Sequence, residues 1–159
     1  MQFYTIGVYH SSELDFFESL KKNEIDTFCD IRQRRGVRGA KYSFVNSKRL
    51  QIKLAEIGIK YQHILNLAPT TEIRQLQYEA DIKEGVNKRD RDELGQIFKI
   101  TYKNKILDNF DLKEFIKSLE YDGAKKIVLF CVEQSPKACH RSIIADKLSR
   151  DYNYEIIHL

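Results

Sequence analysis

Apolar residues along this chain follow two alternating rhythms. Compact runs of strand length occur at Phe3–Val8, Thr27–Ile31, Lys60–Ile64, Lys126–Val132 and Glu155–Leu159. Between them, apolar positions recur every three or four residues. Leu14, Phe17 and Leu20, with Phe16 beside them, mark one helix face, with Ser11 or Ser12 as N-cap and Glu13 and Asp15 in the first turn. Leu50, Leu54 and Ile57 mark a second, started by Asn46 or Ser47 and closed by Gly58. Pro69-Thr70-Thr71-Glu72 opens a third, which carries Ile73, Leu76 and Ala80 toward Gly85. Arg89–Tyr102 reads as a fourth through Leu94, Ile97 and Phe98. Asp111 caps a fifth, where Leu112, Phe115, Ile116 and Leu119 fit the amphipathic template and Gly123 ends it. A sixth passes through Ile144 and Leu148.

Strands separated by helices predict an α/β fold, a three-layer sandwich with a mostly parallel central sheet of about five strands. Lys126–Val132 is apolar on both faces and is the expected central strand. A single domain over residues 1–159 is expected, since a chain of this size buries roughly 70% of its unfolded surface. No apolar run approaches the ~20 residues of a membrane span. The residues before Phe3 lack the basic flank of a signal peptide. Three cysteines are an odd number in a chain that needs no disulfides to hold a core, so reduced thiols and a cytoplasmic location are expected.

The net charge of +4 changes the picture only through its clustering. No acidic residue lies between Asp30 and Glu56, whereas Arg32, Arg34, Arg35, Arg38, Lys41, Lys48, Arg49 and Lys53 are all basic. A solvated face is one reading of such a run. Four arginines within Arg32–Arg38, with Gly36 and Gly39 between and after them and Tyr42 and Phe44 following, favour a phosphate-bearing partner: a nucleotide, DNA or RNA.

In parallel α/β sheets ligands bind beyond the carboxyl ends of the strands. The first strand delivers Tyr9, His10 and Ser11 there, the second Asp30 and Arg32. The central strand delivers Glu133 and then Cys139-His140-Arg141-Ser142 near a predicted helix start, opened by Ser135-Pro136 or nearer Cys139. Backbone N–H groups at such a start favour an anion or a thiolate, and Arg141 is suited to phosphate. Candidate acid–base and nucleophilic groups are Asp30, Glu133, Cys139 and His140; candidate anion ligands are Arg32, Arg34, Arg35, Arg38, Arg141 and Ser142. Each has a plainer alternative. Cys29 and Cys131 suit a core, His10 and His63 suit strand ends, Asp30 can pair with Arg32, and Glu133 with Arg141. Spacing argues against two sharper chemistries. A cysteine-phosphatase loop ending at Arg141 would need its nucleophile where Ser135 stands. Cys131, Cys139, His140 and His10 lack the short cysteine spacing of structural zinc motifs, so no metal or other cofactor is expected.

Tyr4-Thr5-Ile6-Gly7, Phe28-Cys29-Asp30-Ile31-Arg32, Ile57–His63, Cys131-Val132-Glu133 and Cys139-His140-Arg141-Ser142 occur in the order found in domain-of-unknown-function family 488, which the chain resembles over nearly its whole length. Its segment Gly7–Ser11 is longer than the family's usual Gly-His-Ser or Gly-Tyr-Ser. Arg34-Arg35-Gly36 stands where the family commonly has proline, which suggests a subgroup with a more basic loop. The resemblance implies a fold and a site, and no particular reaction. Two functions follow as expectations. One is an enzyme that acts on a nucleotide or nucleic acid through an anion site. The other is a non-catalytic nucleic-acid-binding module that uses Arg32–Lys53.

Overall fold

A computed structural model describes residues 1–159. Five strands, β1 (Gln2–Ile6), β2 (Thr27–Asp30), β3 (Lys60–His63), β4 (Lys126–Phe130) and β5 (Ile156–His158), form one all-parallel sheet in the order β3-β2-β4-β1-β5. Six helices accompany it: α1 (Glu13–Lys22), α2 (Ser47–Glu56), α3 (Thr71–Glu84), α4 (Gln96–Lys105), α5 (Leu112–Tyr121) and α6 (His140–Tyr152). The architecture is the expected α/β sandwich, with β4 central. Phe3, Phe28, Ile127, Val128, Leu129 and Phe130 are wholly inaccessible, as strands covered on both faces require.

The caps behave as their side-chain chemistry dictates. Ser12 accepts from Asp15 N and starts α1, Thr70 accepts from Ile73 N and starts α3, and Asp111 accepts from Glu114 N and starts α5. Four expectations need correction. Leu14 is 70% exposed, because α1 is rotated so that Phe16, Phe17 and Leu20 meet the core. The buried stripe of α3 is Ile73, Gln77 and Asp81, a partly polar face. The fourth helix begins only after Gly95, which leaves Arg89–Gly95 as irregular chain. Finally, β4 stops at Phe130, so Cys131 and Val132 lie in the connection that follows it.

From β4 the chain moves outward through α6 to β5, while from β1 it moves the other way through α1 to β2. That reversal places a crevice at the carboxyl ends of the central strands. The ends of β1 and β4 are stitched together by Val8 N and Tyr9 N, which both donate to Val132 O at 3.1 and 3.0 Å. Gly7 is required for this approach. A Cβ at that position would overlap the Glu133 carbonyl oxygen and lie 3.2 Å from Arg141 Nη2. With that side closed, the crevice opens over β2 and β4.

Candidate functional site

A cavity of about 550 Å³ occupies this crevice. Its floor is built from strand ends and a helix start: Tyr9 after β1, Arg32 after β2, Cys131 to Glu133 after β4, and Cys139 and His140 entering α6. The chain between β4 and α6 folds back through a single 3-10 turn, Pro136–Ala138, with Ser135 at its N-cap position. Cys139 then occupies the N-cap position of α6. This fold-back brings Cys131 and Cys139 together across seven intervening residues.

Asp30 is fully buried and fully engaged. Its carboxylate accepts from Arg32 Nε at 2.8 Å, Arg32 Nη2 at 2.7 Å, Arg32 N at 3.2 Å and the Tyr61 hydroxyl at 2.8 Å. Arg32 Nη2 also donates to Val45 O at 3.0 Å, and the guanidinium lies 4.5 Å from the Phe130 ring centroid. Arg32 is 3% exposed, and its Nη1 has no partner. The carboxylate therefore acts as a brace: it fixes a buried cation at the cavity wall and has no lone pair free for proton transfer.

Glu133 is also buried. Its Oε1 lies 3.3 Å from Arg91 Nη2 and 3.5 Å from Lys88 Nζ, and its Oε2 accepts from Cys131 Sγ at 3.2 Å. Burial alone would raise its pKa, but the Lys88 and Arg91 charges outweigh it and bring the carboxyl down to about 2. At neutral pH Glu133 is thus an anion and has no proton to donate. Its expected side-chain partner, Arg141, is engaged elsewhere. The Arg141 guanidinium is completely buried and donates to the backbone carbonyls of Glu133 and Gln134, the latter at 2.7 Å. It clamps the loop that carries Glu133 and does not line the cavity.

Cys131, Cys139 and His140 form a tight buried group. Cys139 Sγ is 3.5 Å from His140 Nδ1, and His140 Nε2 is 3.0 Å from Ile31 O. A backbone carbonyl only accepts, so Nε2 carries the proton and the Nδ1 lone pair faces the thiols. The Cys139 contact, then burial, push the Cys131 thiol well above its ordinary range.

The remaining candidates are distributed more widely. Arg34 and Arg38 are exposed and line the cavity, whereas Arg35 lies outside it. Tyr9 lines it. Ser11 does not, and neither does Ser142, whose hydroxyl donates to Cys139 O at 3.0 Å. His10 is an exposed residue with a left-handed backbone (φ 66°), and its ring is 3.3 Å from Arg89 O. His63 is 2.9 Å from Arg32 O and helps support the β2 end. Tyr42 and Phe44, read from sequence as a stacking surface, are core residues at 2% and 3% exposure.

Four cavity cations escaped the sequence reading: Arg74 on α3, and Lys88, Arg89 and Arg91 on the chain before α4. Arg91 is the best ordered by bonding. It donates to Asp81 at 2.7 Å, to Glu133 at 3.3 Å and to Ala138 O at 2.9 Å, and Gln77 completes the set by donating to Asp81 at 2.7 Å. The available signal was the polar pair Gln77 and Asp81, four residues apart on an otherwise apolar face.

The fold and the site together define a parallel α/β protein with a cation-walled cavity and a buried thiol–imidazole group at the carboxyl edge of its sheet. A family model described as domain of unknown function DUF488 matches residues 14–148, and the chain belongs to that family. Comparison with curated proteins and with solved structures gave no match. No helix is long and apolar enough to cross a membrane.

Proposed function

We propose that this protein is an enzyme that binds a nucleotide-sized, phosphate-bearing ligand in the cavity and acts on it at the Cys139–His140 end of the floor. One observation carries the reading: Arg32 lines the cavity, and its buried guanidinium, braced by Asp30, has an Nη1 without a partner. An unpaired donor on a buried cation costs ~1–3 kcal/mol, and an anionic ligand oxygen recovers it. Charge and size agree. Seven cations (Arg32, Arg34, Arg38, Arg74, Lys88, Arg89 and Arg91) face two carboxylates, Asp81 and Glu133, and the volume falls within the range of small-molecule sites. Tyr9, Tyr78 and Phe98 in the lining supply apolar surface for a base. Three unpaired buried cysteines suit a reducing, cytoplasmic setting.

The test is calorimetric titration with pyrophosphate, AMP and ADP at low salt, on the wild type and on Arg38→Ala and Arg74→Ala. Both substitutions remove cavity cations and leave the Asp30–Arg32 brace intact. Each is expected to weaken nucleotide binding about tenfold, the scale of one charge-assisted hydrogen bond. Lack of binding by every phosphate compound, or unchanged affinity in both variants, overturns the proposal.

The binding-module reading draws on the exposed Lys41, Lys48 and Arg49 outside the cavity. It is favoured instead if a single-stranded oligonucleotide binds far more tightly than any mononucleotide, with a steep salt dependence that Lys41→Ala and Lys48→Ala reduce.

A further inference from the structure

We infer that Cys131, Cys139 and His140 form a three-ligand site for a soft divalent metal, with Zn²⁺ the best match, and that its fourth position opens into the cavity. Each of the three offers one ligand atom, and these atoms lie within 4.8 Å of one another. In a tetrahedral zinc site with ordinary bond lengths, sulfur and nitrogen ligands sit roughly 3.5–3.8 Å apart. The Cys139 Sγ to His140 Nδ1 separation of 3.5 Å already matches one such edge.

Three further features point the same way. First, the imidazole is held as a metal-binding histidine usually is: Nε2–H is directed at a backbone carbonyl, Ile31 O at 3.0 Å, and the Nδ1 lone pair is left for the ligand. Second, all three residues lie at rigid ends of elements. Cys131 follows β4 directly, Cys139 occupies the N-cap position of α6, and His140 is its first residue. Third, the charge suits the depth. Two thiolates and a neutral imidazole around a divalent ion make a neutral complex, which a buried position tolerates far better than a bare ion. Thiolate and imidazole together select zinc over magnesium or calcium.

All three residues also line the cavity, so a bound ion would border it and have room for water or a ligand oxygen. The inference rests on the proposed function only for what would occupy that open position. Metal binding itself requires no ligand.

The experiment uses the full chain, reduced and stripped of metal, titrated with Co²⁺ and then Zn²⁺. Saturation at one equivalent is expected, with the visible bands of four-coordinate cobalt and near-ultraviolet thiolate-to-cobalt bands that Zn²⁺ then bleaches. Cys131→Ser and Cys139→Ser should each weaken Co²⁺ binding by more than ~100-fold, beyond the usual loss from a mere supporting residue. Cys29→Ser, which alters the cysteine outside the group, should leave the spectrum unchanged. Should the two site variants fail to fold, X-ray absorption of the Zn²⁺-loaded wild type gives the answer without them: two sulfur ligands and a nitrogen are expected. No cobalt binding, cobalt bound without thiolate bands, or a zinc shell of oxygen and nitrogen only overturns the inference. Titration of the metal-free protein with pyrophosphate or AMP fails or succeeds independently, so loss of the anion site and loss of the metal site are separable.

Discussion

The two ends of the sheet carry recesses of nearly equal volume, about 550 Å³ at the carboxyl end and about 530 Å³ at the amino end, yet their polar groups are treated oppositely. At the amino end the charges cancel, with Asp26 and Asp122 set against Lys60 and Lys125. Asp26 is used up internally: its carboxylate accepts from Lys125 N at 2.9 Å, Lys126 N at 2.8 Å and the Thr27 hydroxyl at 2.7 Å. At the carboxyl end, seven cations face two carboxylates. Two of the three buried side-chain donors without partners, on Arg32 and Arg91, belong to residues that line this cavity. The unfinished polar groups of the carboxyl end support the proposal that a ligand binds there.

Substitution at paired positions can break this comparison. Gly7 and Gly123 are both needed, for different reasons. Gly7→Ala forces a methyl into the Glu133 carbonyl where β1 and the β4 loop meet, and both partners are backbone. We expect a loss on the order of 4 kcal/mol or outright failure to fold. Gly123 has φ 75° with no atom near its absent Cβ, so Gly123→Ala should cost only about 1 kcal/mol. Equal shifts in the urea midpoint would mean that the carboxyl-end junction is not close-packed. The two aspartates of β2 and its approach make the next contrast. Asp30→Ala strands the buried Arg32 and should cost about 3 kcal/mol, whereas Asp26→Ala removes hydrogen bonds in a half-exposed place and should cost about 1 kcal/mol. A ratio near one would remove the distinction between the buried ion-pair partner and the half-exposed acceptor.

Much of the sheet and of the helix starts was legible in the sequence because strands and caps are local. The apolar runs ended within two residues of the observed strands, and Ser12, Thr70 and Asp111 cap the helices their chemistry suggested. The cavity was legible only in part, because its geometry depends on distant segments. Asp30 and Arg32 were readable as a pair, two residues apart on one strand end. Arg91 was not: Leu94, Ile97 and Phe98 at helical spacing drew the predicted helix back over it, whereas the chain stays irregular so that Arg91 can reach Asp81 and Glu133. Cys131 and Cys139 looked too far apart for shared chemistry, since no local rule announces that the turn at Pro136–Ala138 folds one back on the other. Tyr42 and Phe44 misled in the opposite sense. Their neighbours are basic, but their rings pack into the core beneath the basic loop.

The smallest expected effect concerns a histidine at the edge strand of the sheet. His158 ends β5, with its Nδ1 2.7 Å from the Thr5 hydroxyl. Burial first, and then the nearby Arg141 charge, lower its pKa below the ordinary 6.5, while Asp146 opposes them. A histidine lowered in the folded state takes its proton more readily when unfolded, so acid draws the equilibrium toward the unfolded chain. Its contribution is complete above pH 6.5, declines as pH falls through that value, and levels off below the lowered one. Urea midpoints compared at pH 7.5 and pH 5.5, for the wild type and for His158→Gln, isolate this contribution from that of the carboxylates. The variant should show the shallower decline. An identical decline in both would mean that neither burial nor the Arg141 charge holds the His158 imidazole below its ordinary range in the folded protein.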